Sequence, residues 1–145
     1  PTPVADLTRR AARAAGFASV PVEAQAGSEA ATVMVDRRRF ERILSNFLQN
    51  ARNHGGGATR ITVSVVDGRA AVAVEDAGPG VAAGDRTRIF ERFARGTSTP
   101  NRPGSGLGLS LAAEQARVQR GEVWVEDRPG GGARFVLAVP LGGGS

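Results

Sequence analysis

The stretch SNFLQNARNHGGG, residues 45–57, belongs to the longest helical pattern in this chain of 145 residues. Apolar side chains recur at the three- and four-residue spacing of one helix face, at Phe40, Ile43, Leu44, Phe47, Leu48 and Ala51. Asp36 is a favourable N-cap, and three consecutive glycines end the pattern. The sequence therefore predicts a helix over residues 37–54 that packs on a core.

One flank of this helix carries three asparagines, Asn46, Asn50 and Asn53, beside the apolar stripe. Asparagine is a mediocre helix former because its side chain competes for backbone hydrogen bonds. A solvated polar face is one explanation. The other is a ligand site, because an amide oxygen suits Mg²⁺, which keeps waters and substrate phosphates as its remaining ligands. The asparagines alone leave both explanations open.

Composition excludes several classes of protein. There are no cysteines, so disulfides and thiolate metal sites are excluded. No apolar run approaches the roughly 20 residues of a membrane span, and we expect a soluble domain. The formal charge is +5, and all 19 basic residues are arginine, which favours an anionic ligand. Aromatic residues make up only 5% of the chain, which argues against a nucleic-acid-binding module.

The rest of the chain divides into helices and strands without regular alternation. Helical patterns cover residues 4–15 and 106–120, strand patterns cover 19–25 and 32–36, and hairpins are predicted at 60–66 with 70–75 and at 122–126 with 133–139. Strands that cluster against a few helices predict an α+β class, an α/β sandwich with helices on one face of a sheet. Residues 141–145 are predicted to form a flexible tail.

Two glycine-containing stretches favour a nucleotide. Residues 75–80 read EDAGPG, which places an acid at the end of a strand, before a turn. A carboxylate there can accept a hydrogen bond from an exocyclic amine such as that of adenine, while glycines let the backbone approach a flat ring. A simple Pro-Gly turn is the alternative.

Residues 104–109 read GSGLGL and precede a helix, where exposed N–H groups form a cradle for phosphates. This run does not follow a strand, as a Rossmann fingerprint must, and no P-loop GKS or GKT is present.

Four short motifs, in this order, resemble those of the ATP-binding catalytic domain of sensor histidine kinases, in the GHKL superfamily. NFLQN resembles the N box, EDAGPG the G1 box, IFERF the F box and GSGLGLSL the G2 box. The resemblance extends over about residues 36–140, so that residues 1–145 are expected to form one such domain. It implies a Bergerat-type ATP-binding fold: a mixed sheet of about five strands, about three helices on one face, and a long ATP lid over about residues 82–103.

The resemblance also assigns roles to residues around the base and the metal. Asn50 looks like the Mg²⁺ ligand that bridges the metal to the phosphates, and Asn46 supports that site one turn earlier. Asp76 looks like the adenine reader, and Gly78 and Gly80 would leave room for the ring.

The lid and the second glycine run complete the implied site. Arg95 is placed to reach the terminal phosphate and counts with Asn46 and Asn50 as catalytic. The other implied nucleotide-binding residues are Asn53, His54, Ile89, Phe90, Phe93, Gly104, Gly106, Leu107, Gly108 and Leu109, with Arg92 and Arg102 as weaker candidates.

The chain departs from the family pattern at two places. Asn53 stands where a basic residue commonly contacts phosphate, so that charge must come from elsewhere, from Arg52 or from the lid arginines. Ala133 and Arg134 stand where a hydroxyl residue often reaches adenine through water.

The resemblance implies transfer of the γ-phosphoryl group of ATP to a histidine on a separate dimerisation domain. His54 is the only histidine and lies inside the predicted helix, outside any phosphoacceptor motif. We therefore expect a monomeric catalytic domain of a longer kinase, unable to phosphorylate itself alone. The parent is expected to be a homodimer anchored in a bacterial membrane, with this domain in the cytoplasm and a response regulator as an indirect partner.

Two alternatives use the same fold. Relatives that hydrolyse ATP have a glutamate at the position of Asn46, and an amide cannot replace it as a general base. The first alternative is a stand-alone serine kinase of the anti-sigma type. Such kinases also keep that glutamate and lack GSGLGL, whereas this chain has Asn46 and GSGLGL. The second alternative is a non-catalytic interaction module, against which the presence of Asn50 and Asp76 argues.

Overall fold

The computed structural model describes residues 2–86, 88–90 and 108–142. Its helices and strands are β1 (Thr2–Pro3), α1 (Val4–Ala14), β2 (Val22–Ala24), β3 (Thr32–Val33), α2 (Arg37–His54), β4 (Ala58–Val66), β5 (Arg69–Asp76), α3 (Gly108–Val118), β6 (Glu122–Asp127) and β7 (Ala133–Pro140). Two short 3₁₀ turns cover Ala83–Asp85 and Arg88–Phe90.

Five strands form a mixed sheet in the order β2-β4-β5-β7-β6. β2 runs parallel to β4, whereas the other neighbouring pairs are antiparallel. The β4–β5 hairpin closes through Asp67 and Gly68, whose φ angles of 54° and 76° suit a two-residue turn that follows the strand twist. Because β5 is the central strand, Asp76 at its end has a neighbouring strand on each side.

Helices cover one face of this sheet. Alternate side chains of the strands point into the interface and are fully buried there, among them Ile61, Val63, Val72, Val74, Phe135, Leu137 and Val139. The apolar stripe of α2 packs against them, and each such side chain contributes roughly 1.5–3 kcal/mol by leaving water. The predicted helix over residues 37–54 and the predicted α+β sandwich are confirmed. No helix in the described ranges combines the length and the apolarity needed to cross a bilayer.

The strands near the N-terminus are shorter than the sequence pattern predicts. Of residues 19–25, only Val22–Ala24 joins the sheet, because Pro21 has no N–H and pairs only through its carbonyl, which accepts from the N–H of Ile61 at 2.8 Å. Of residues 32–36, Thr32–Val33 pairs with β1 in a separate two-stranded sheet. That sheet was not predicted, since strands of two residues are too short to show a period.

The C-terminal pairing extends further than predicted. Leu141, the first residue of the predicted tail, forms a bridge with Val33. The N–H of Gly142 donates to the carbonyl of Thr32 at 2.8 Å, and the Thr32 hydroxyl donates to the carbonyl of Gly142 at 3.2 Å. These two residues therefore belong to the paired chain, and residues 143–145 lie outside the described ranges.

Candidate functional site

Asp76 ends the central strand β5, and its carboxylate lies beneath the C-terminal end of α2. Its Oδ1 accepts hydrogen bonds from the N–H of Gly78 at 3.0 Å and from the N–H of Ala133 at 3.3 Å. The residue is only 3% exposed. Within the described ranges no hydrogen bond reaches Oδ2, so the carboxylate has unused acceptor capacity.

Glycines surround this carboxylate because there is no space for a side chain. A Cβ on Gly55 would lie 2.4 Å from Cγ of Asp76, and a Cβ on Gly78 would lie 2.5 Å from Cα of Gly55. A Cβ on Gly132 would lie 1.9 Å from the backbone oxygen of Asp76. The turn after β5, the end of α2 and the turn before β7 therefore meet at one carboxylate.

The glycines of the EDAGPG turn serve this packing. The atoms nearest to a Cβ on Gly78 or Gly80 belong to the backbone of Gly55 and Gly132, respectively, and Gly80 also has a φ of +79°. The EDAGPG pattern predicts that these two glycines let the backbone approach a flat ring. In the structure, the space that a side chain at these two positions would need is taken by, or lies against, the backbone of Gly55 and Gly132.

Burial raises the pKa of Asp76 above its ordinary value of 3.8. The hydrogen bonds from the N–H groups of Gly78 and Ala133 oppose this shift, and so does the positive charge of Arg128. The hydrogen bonds and the charge that the protein supplies thus do not fully offset the cost of burying the charged carboxylate. A ligand that donates a hydrogen bond to Oδ2 would stabilise the charged form further.

Glu75, the preceding residue, points to the other face of the sheet and is fully engaged. Its carboxylate pairs with three arginines: Arg60 Nε at 3.0 Å, Arg134 Nε at 3.1 Å and Arg128 Nε at 3.3 Å. Glu75 is 2% exposed, and burial alone would raise its pKa. The hydrogen bonds and charges of Arg60 and Arg134 outweigh that burial, so the pKa of Glu75 lies below its ordinary value.

The asparagine flank of α2 begins beside the start of α3. Asn46 and Asn50 are half-buried, and in the described part of the chain their side chains take part in no hydrogen bond. A Cβ on Gly108, the first residue of α3, would lie 3.5 Å from Oδ1 of Asn46. The structure therefore brings Asn46 to the start of α3, which begins within GSGLGL. Further along α2, Asn53 is exposed and His54 is half-buried.

The beginning of the predicted lid is anchored on the core. Ile89 and Phe90 are half-buried in the second 3₁₀ turn. The ring of Phe90 meets that of Phe135 edge-on, with 6.3 Å between centroids, and Phe135 lies 5.7 Å from Phe47 of α2. Leu109 packs on the same core at the start of α3. The remaining predicted site residues, Arg92, Phe93, Arg95, Arg102, Gly104, Gly106 and Leu107, lie outside the described residues.

Sequence reasoning missed four residues that shape this site: Gly55, Arg128, Gly132 and Glu75. Gly55 reads as a helix stop, yet its φ of −119° is open to any residue, and what it supplies is space for Asp76. The neighbours Glu75 and Asp76 carried a usable signal, because consecutive strand residues face opposite sides of a sheet. The partners of each carboxylate come from distant parts of the chain, which a local pattern does not reveal.

Comparison with known proteins assigns this site to a family. The sequence pattern described as "Histidine kinase-, DNA gyrase B-, and HSP90-like ATPase" matches residues 35–143. The signal transduction histidine-protein kinase AfsQ2 of Streptomyces coelicolor is 39% identical over 123 residues, which cover 84% of this chain and 22% of that protein. The sensor-type histidine kinase PrrB of Mycobacterium tuberculosis is 48% identical over 99 residues, 67% of this chain and 22% of that protein. The chain thus spans about a fifth of the length of these relatives.

Solved structures show the same relationship. The ATP-binding domain of PrrB from Mycobacterium tuberculosis has a TM-score of 0.72 and 32% identity, with 98% of this chain and 96% of that chain covered. Full-length ShkA in complex with AMPPNP has a TM-score of 0.73 and 30% identity, with 97% of this chain and 30% of that chain covered. The chain therefore belongs to the histidine kinase-, DNA gyrase B- and HSP90-like ATPases, and it is the ATP-binding catalytic domain of a histidine kinase.

Proposed function

We propose that this domain binds Mg-ATP between α2 and the lid and transfers the γ-phosphoryl group to a histidine on a separate dimerisation domain of its parent kinase. The observation that carries the proposal is the carboxylate of Asp76, buried at the end of α2 with one oxygen that no described residue occupies. An adenine amino group is the kind of donor that this oxygen lacks. The AMPPNP in the related ShkA structure supports an adenine nucleotide at this fold.

The length of α2 fits a nucleoside triphosphate that lies along it. At 1.5 Å per residue, His54 and Asn46 are about 12 Å apart along the helix axis. Asp76 and His54 would hold the base at one end, with Gly78, Gly80, Ile89 and Phe90 lining its surroundings. Asn46, Asn50 and the start of α3 at Gly108 would hold the phosphates at the other.

The donor set fits a metal that arrives with the nucleotide. Among the described residues no group of three or more His, Cys, Asp or Glu side chains could hold a metal ion. The amide oxygen of Asn50 would be the protein ligand, which suits Mg²⁺ with phosphates and waters as its other ligands. When bound, Mg²⁺ neutralises phosphate charge that develops during transfer.

The chain's own residues favour a nucleophile other than water. Asn46 lies where a base would have to stand to activate water, and its amide cannot accept the proton. Leu109 and Phe90 pack on the core beside the site, and Arg95 with Asn53 or Arg92 would add charge or hydrogen bonds at the phosphates. The acceptor histidine would come from a part of the parent kinase outside this chain, since the chain spans only about a fifth of its relatives.

The relatives include a sensor-type histidine kinase, and we propose that the parent protein is likewise a sensor, in a two-component system. We propose that it is a membrane-anchored homodimer, that this domain lies in the cytoplasm, and that a response regulator takes the phosphoryl group from the histidine. The isolated domain, a monomer, would bind ATP without phosphorylating itself.

Titration calorimetry with ATP in millimolar Mg²⁺ tests the proposal. The wild-type domain should bind, and Asn50→Ala should abolish the Mg²⁺-dependent part of binding while the fold is retained. Gln49→Ala is the matched control, because Gln49 is an exposed residue on the same helix whose side-chain hydrogen bond, within the described ranges, goes to Ser45 at 3.3 Å. A folded wild-type protein that ignores ATP, or equal binding by the Asn50 variant, would contradict the proposal.

The acceptor is tested separately with radiolabelled ATP. We expect no label on the isolated domain and an acid-labile label on an added histidine-bearing dimerisation domain of the parent. A stable, acid-labile label on the isolated domain would contradict a separate acceptor.

A further inference from the structure

We propose that Arg128 is a positioning residue of the adenine site, which holds the turn between β6 and β7 so that the N–H of Ala133 stays on Asp76 Oδ1 and leaves Oδ2 for the base. The inference rests on the proposed function, because it deepens the role given to Asp76. We place Arg128 in contact with neither the base nor the phosphates; it acts through the turn.

The turn that carries Arg128 needs an external tie. Gly130, Gly131 and Gly132 have φ angles of 92°, 110° and 105°, so three consecutive residues hold conformations that only glycine adopts readily. Glycine loses more conformational freedom on ordering than any other residue. Ordering this turn therefore carries a large entropic cost, which contacts from outside the glycine run help to offset.

Arg128 supplies the tie through both ends of its guanidinium. Nε donates to Oε1 of Glu75 at 3.3 Å, and Nη1 donates to the carbonyl of Gly131 at 3.1 Å. Its backbone N–H also donates to the carbonyl of Gly132 at 3.1 Å. One side chain thus joins the glycine run to the strand that carries Asp76.

The position that this tie controls lies directly after the glycine run. Gly132 passes so close to the backbone oxygen of Asp76 that no Cβ could fit. The next residue, Ala133, donates its N–H to Oδ1 of Asp76 at 3.3 Å. If the turn moved away, Oδ1 would lose one of its two donors, and the carboxylate would be free to rotate and share the remaining donor between its oxygens.

Arg60 offers a matched control on the same carboxylate. Its Nε pairs with Oε1 of Glu75 at 3.0 Å, and its Nη1 pairs with Glu23 at 2.9 Å, but it lies on β4, and its side-chain hydrogen bonds within the described ranges go to these two acids and not to the turn. Arg60→Ala therefore removes one arginine from Glu75 as Arg128→Ala does, and leaves the turn tied. The two variants separate a role in positioning from a general role in holding Glu75.

The first measurement is nucleotide affinity by calorimetry, with ATP and with inorganic tripolyphosphate, each with Mg²⁺. Arg128→Ala should weaken ATP by about tenfold, as loss of one well-placed hydrogen bond would, and leave tripolyphosphate unchanged. Arg60→Ala should leave both within about twofold. In an Asp76→Asn background, Arg128→Ala should have little further effect, because both changes act on the same contact. Equal ATP affinities for the two arginine variants, or full additivity with Asp76→Asn, would overturn the inference.

The second measurement needs no ligand. Arg128 opposes the burial of Asp76, so Arg128→Ala should raise the pKa of Asp76 in a carboxyl NMR titration, whereas Arg60→Ala should not. An unchanged pKa in the Arg128 variant would overturn the inference even if the domain proved not to bind ATP. Failure of wild-type binding alone would instead count against the proposed function.

A third variant covers the case in which Arg128→Ala does not fold. Arg128→Lys keeps the positive charge but lacks the planar fork that reaches Glu75 and Gly131 together. The pKa of Asp76 should rise less than in Arg128→Ala, because the positive charge remains while the hydrogen bond from Ala133 is weakened, and ATP affinity should fall. Wild-type affinity for ATP in Arg128→Lys would overturn the role given to the fork.

Discussion

Glu75 and Asp76 are consecutive carboxylates on one strand, and the two faces of the sheet give them opposite environments. Both are nearly inaccessible, at 2% and 3% exposure. Glu75 meets three arginines on the open face, and its pKa is lowered. Asp76 meets glycines and two backbone N–H groups on the helix-covered face, and its pKa is raised.

The difference separates a carboxylate that stabilises the fold from one that is kept ready for a ligand. A buried charge with enough partners ties strands together, whereas removal of its partners leaves an uncompensated charge. A buried charge with too few partners costs stability and gains by binding a donor. Buried polar groups with too few hydrogen-bond partners are typical of functional sites, where the stability of the rest of the fold offsets their cost.

The largest expected effect comes from exchanging the two acids for their amides. Asp76→Asn should weaken ATP by about ten- to a hundredfold, the loss of a hydrogen bond to a charged acceptor. Its free energy of unfolding at neutral pH should not fall, because the amide oxygen can still accept from the N–H groups of Gly78 and Ala133 and a buried charge is removed. Calorimetry for ATP and urea denaturation for stability measure the two quantities on the same protein.

Glu75→Gln is the matched control for that prediction and should show the reverse pattern. It should bind ATP close to wild type and lose roughly 1–3 kcal/mol of stability, because three arginines lose their common charged partner. The contrast between the two carboxylates fails if both amide variants lose affinity and stability alike.

A smaller effect is expected from filling the space above Asp76. Gly55→Ala would place a Cβ 2.4 Å from Cγ of Asp76, so the end of α2 must shift. We expect a loss of about 1–3 kcal/mol in the free energy of unfolding, as for overpacked cores, although alanine is the better helix residue. ATP affinity should fall in parallel, since the shift displaces the carboxylate. Thermal unfolding and calorimetry measure the two losses.

Gly84→Ala is the control for Gly55→Ala. Within the described ranges no atom lies within 4 Å of a Cβ on Gly84, and its φ is not positive, so alanine there should leave the free energy of unfolding near wild type. Wild-type stability and affinity of Gly55→Ala would show that the end of α2 has room to move. The close packing of glycines around Asp76 would then not be required.

The sequence revealed those parts of this site that are local in the chain. The spacing of Phe40 to Ala51, with Asp36 before it and the glycines after it, predicted the approximate extent of α2, and Asp76 could be placed at a strand end from the pattern before it. What it could not reveal are contacts across the fold, such as Arg128 on Glu75, 53 residues apart, or Ala133 on Asp76, 57 residues apart. Gly55 illustrates the same limit, because its helix-stop pattern is visible and its steric role depends on a strand that pairs elsewhere.

The smallest expected effect is on the pH dependence of stability, where the two carboxylates act with opposite signs. Below its ordinary pKa of 4.5, Glu75 stays charged in the folded domain while the unfolded chain takes up a proton, so its contribution is lost as pH falls through the folded pKa. Asp76 behaves in the opposite way, because its folded pKa lies above 3.8. As pH rises past 3.8 the unfolded chain loses this proton while the folded domain still holds it, so the contribution of Asp76 to stability is lost as pH rises through the folded pKa. Urea denaturation from about pH 3 to pH 7 should therefore give a flatter acid limb for Glu75→Gln and a steeper one for Asp76→Asn than for the wild type. Two shifts in the same direction would mean that the environments of the two acids do not differ in the sense described, and that Asp76 is stabilised by its surroundings as Glu75 is.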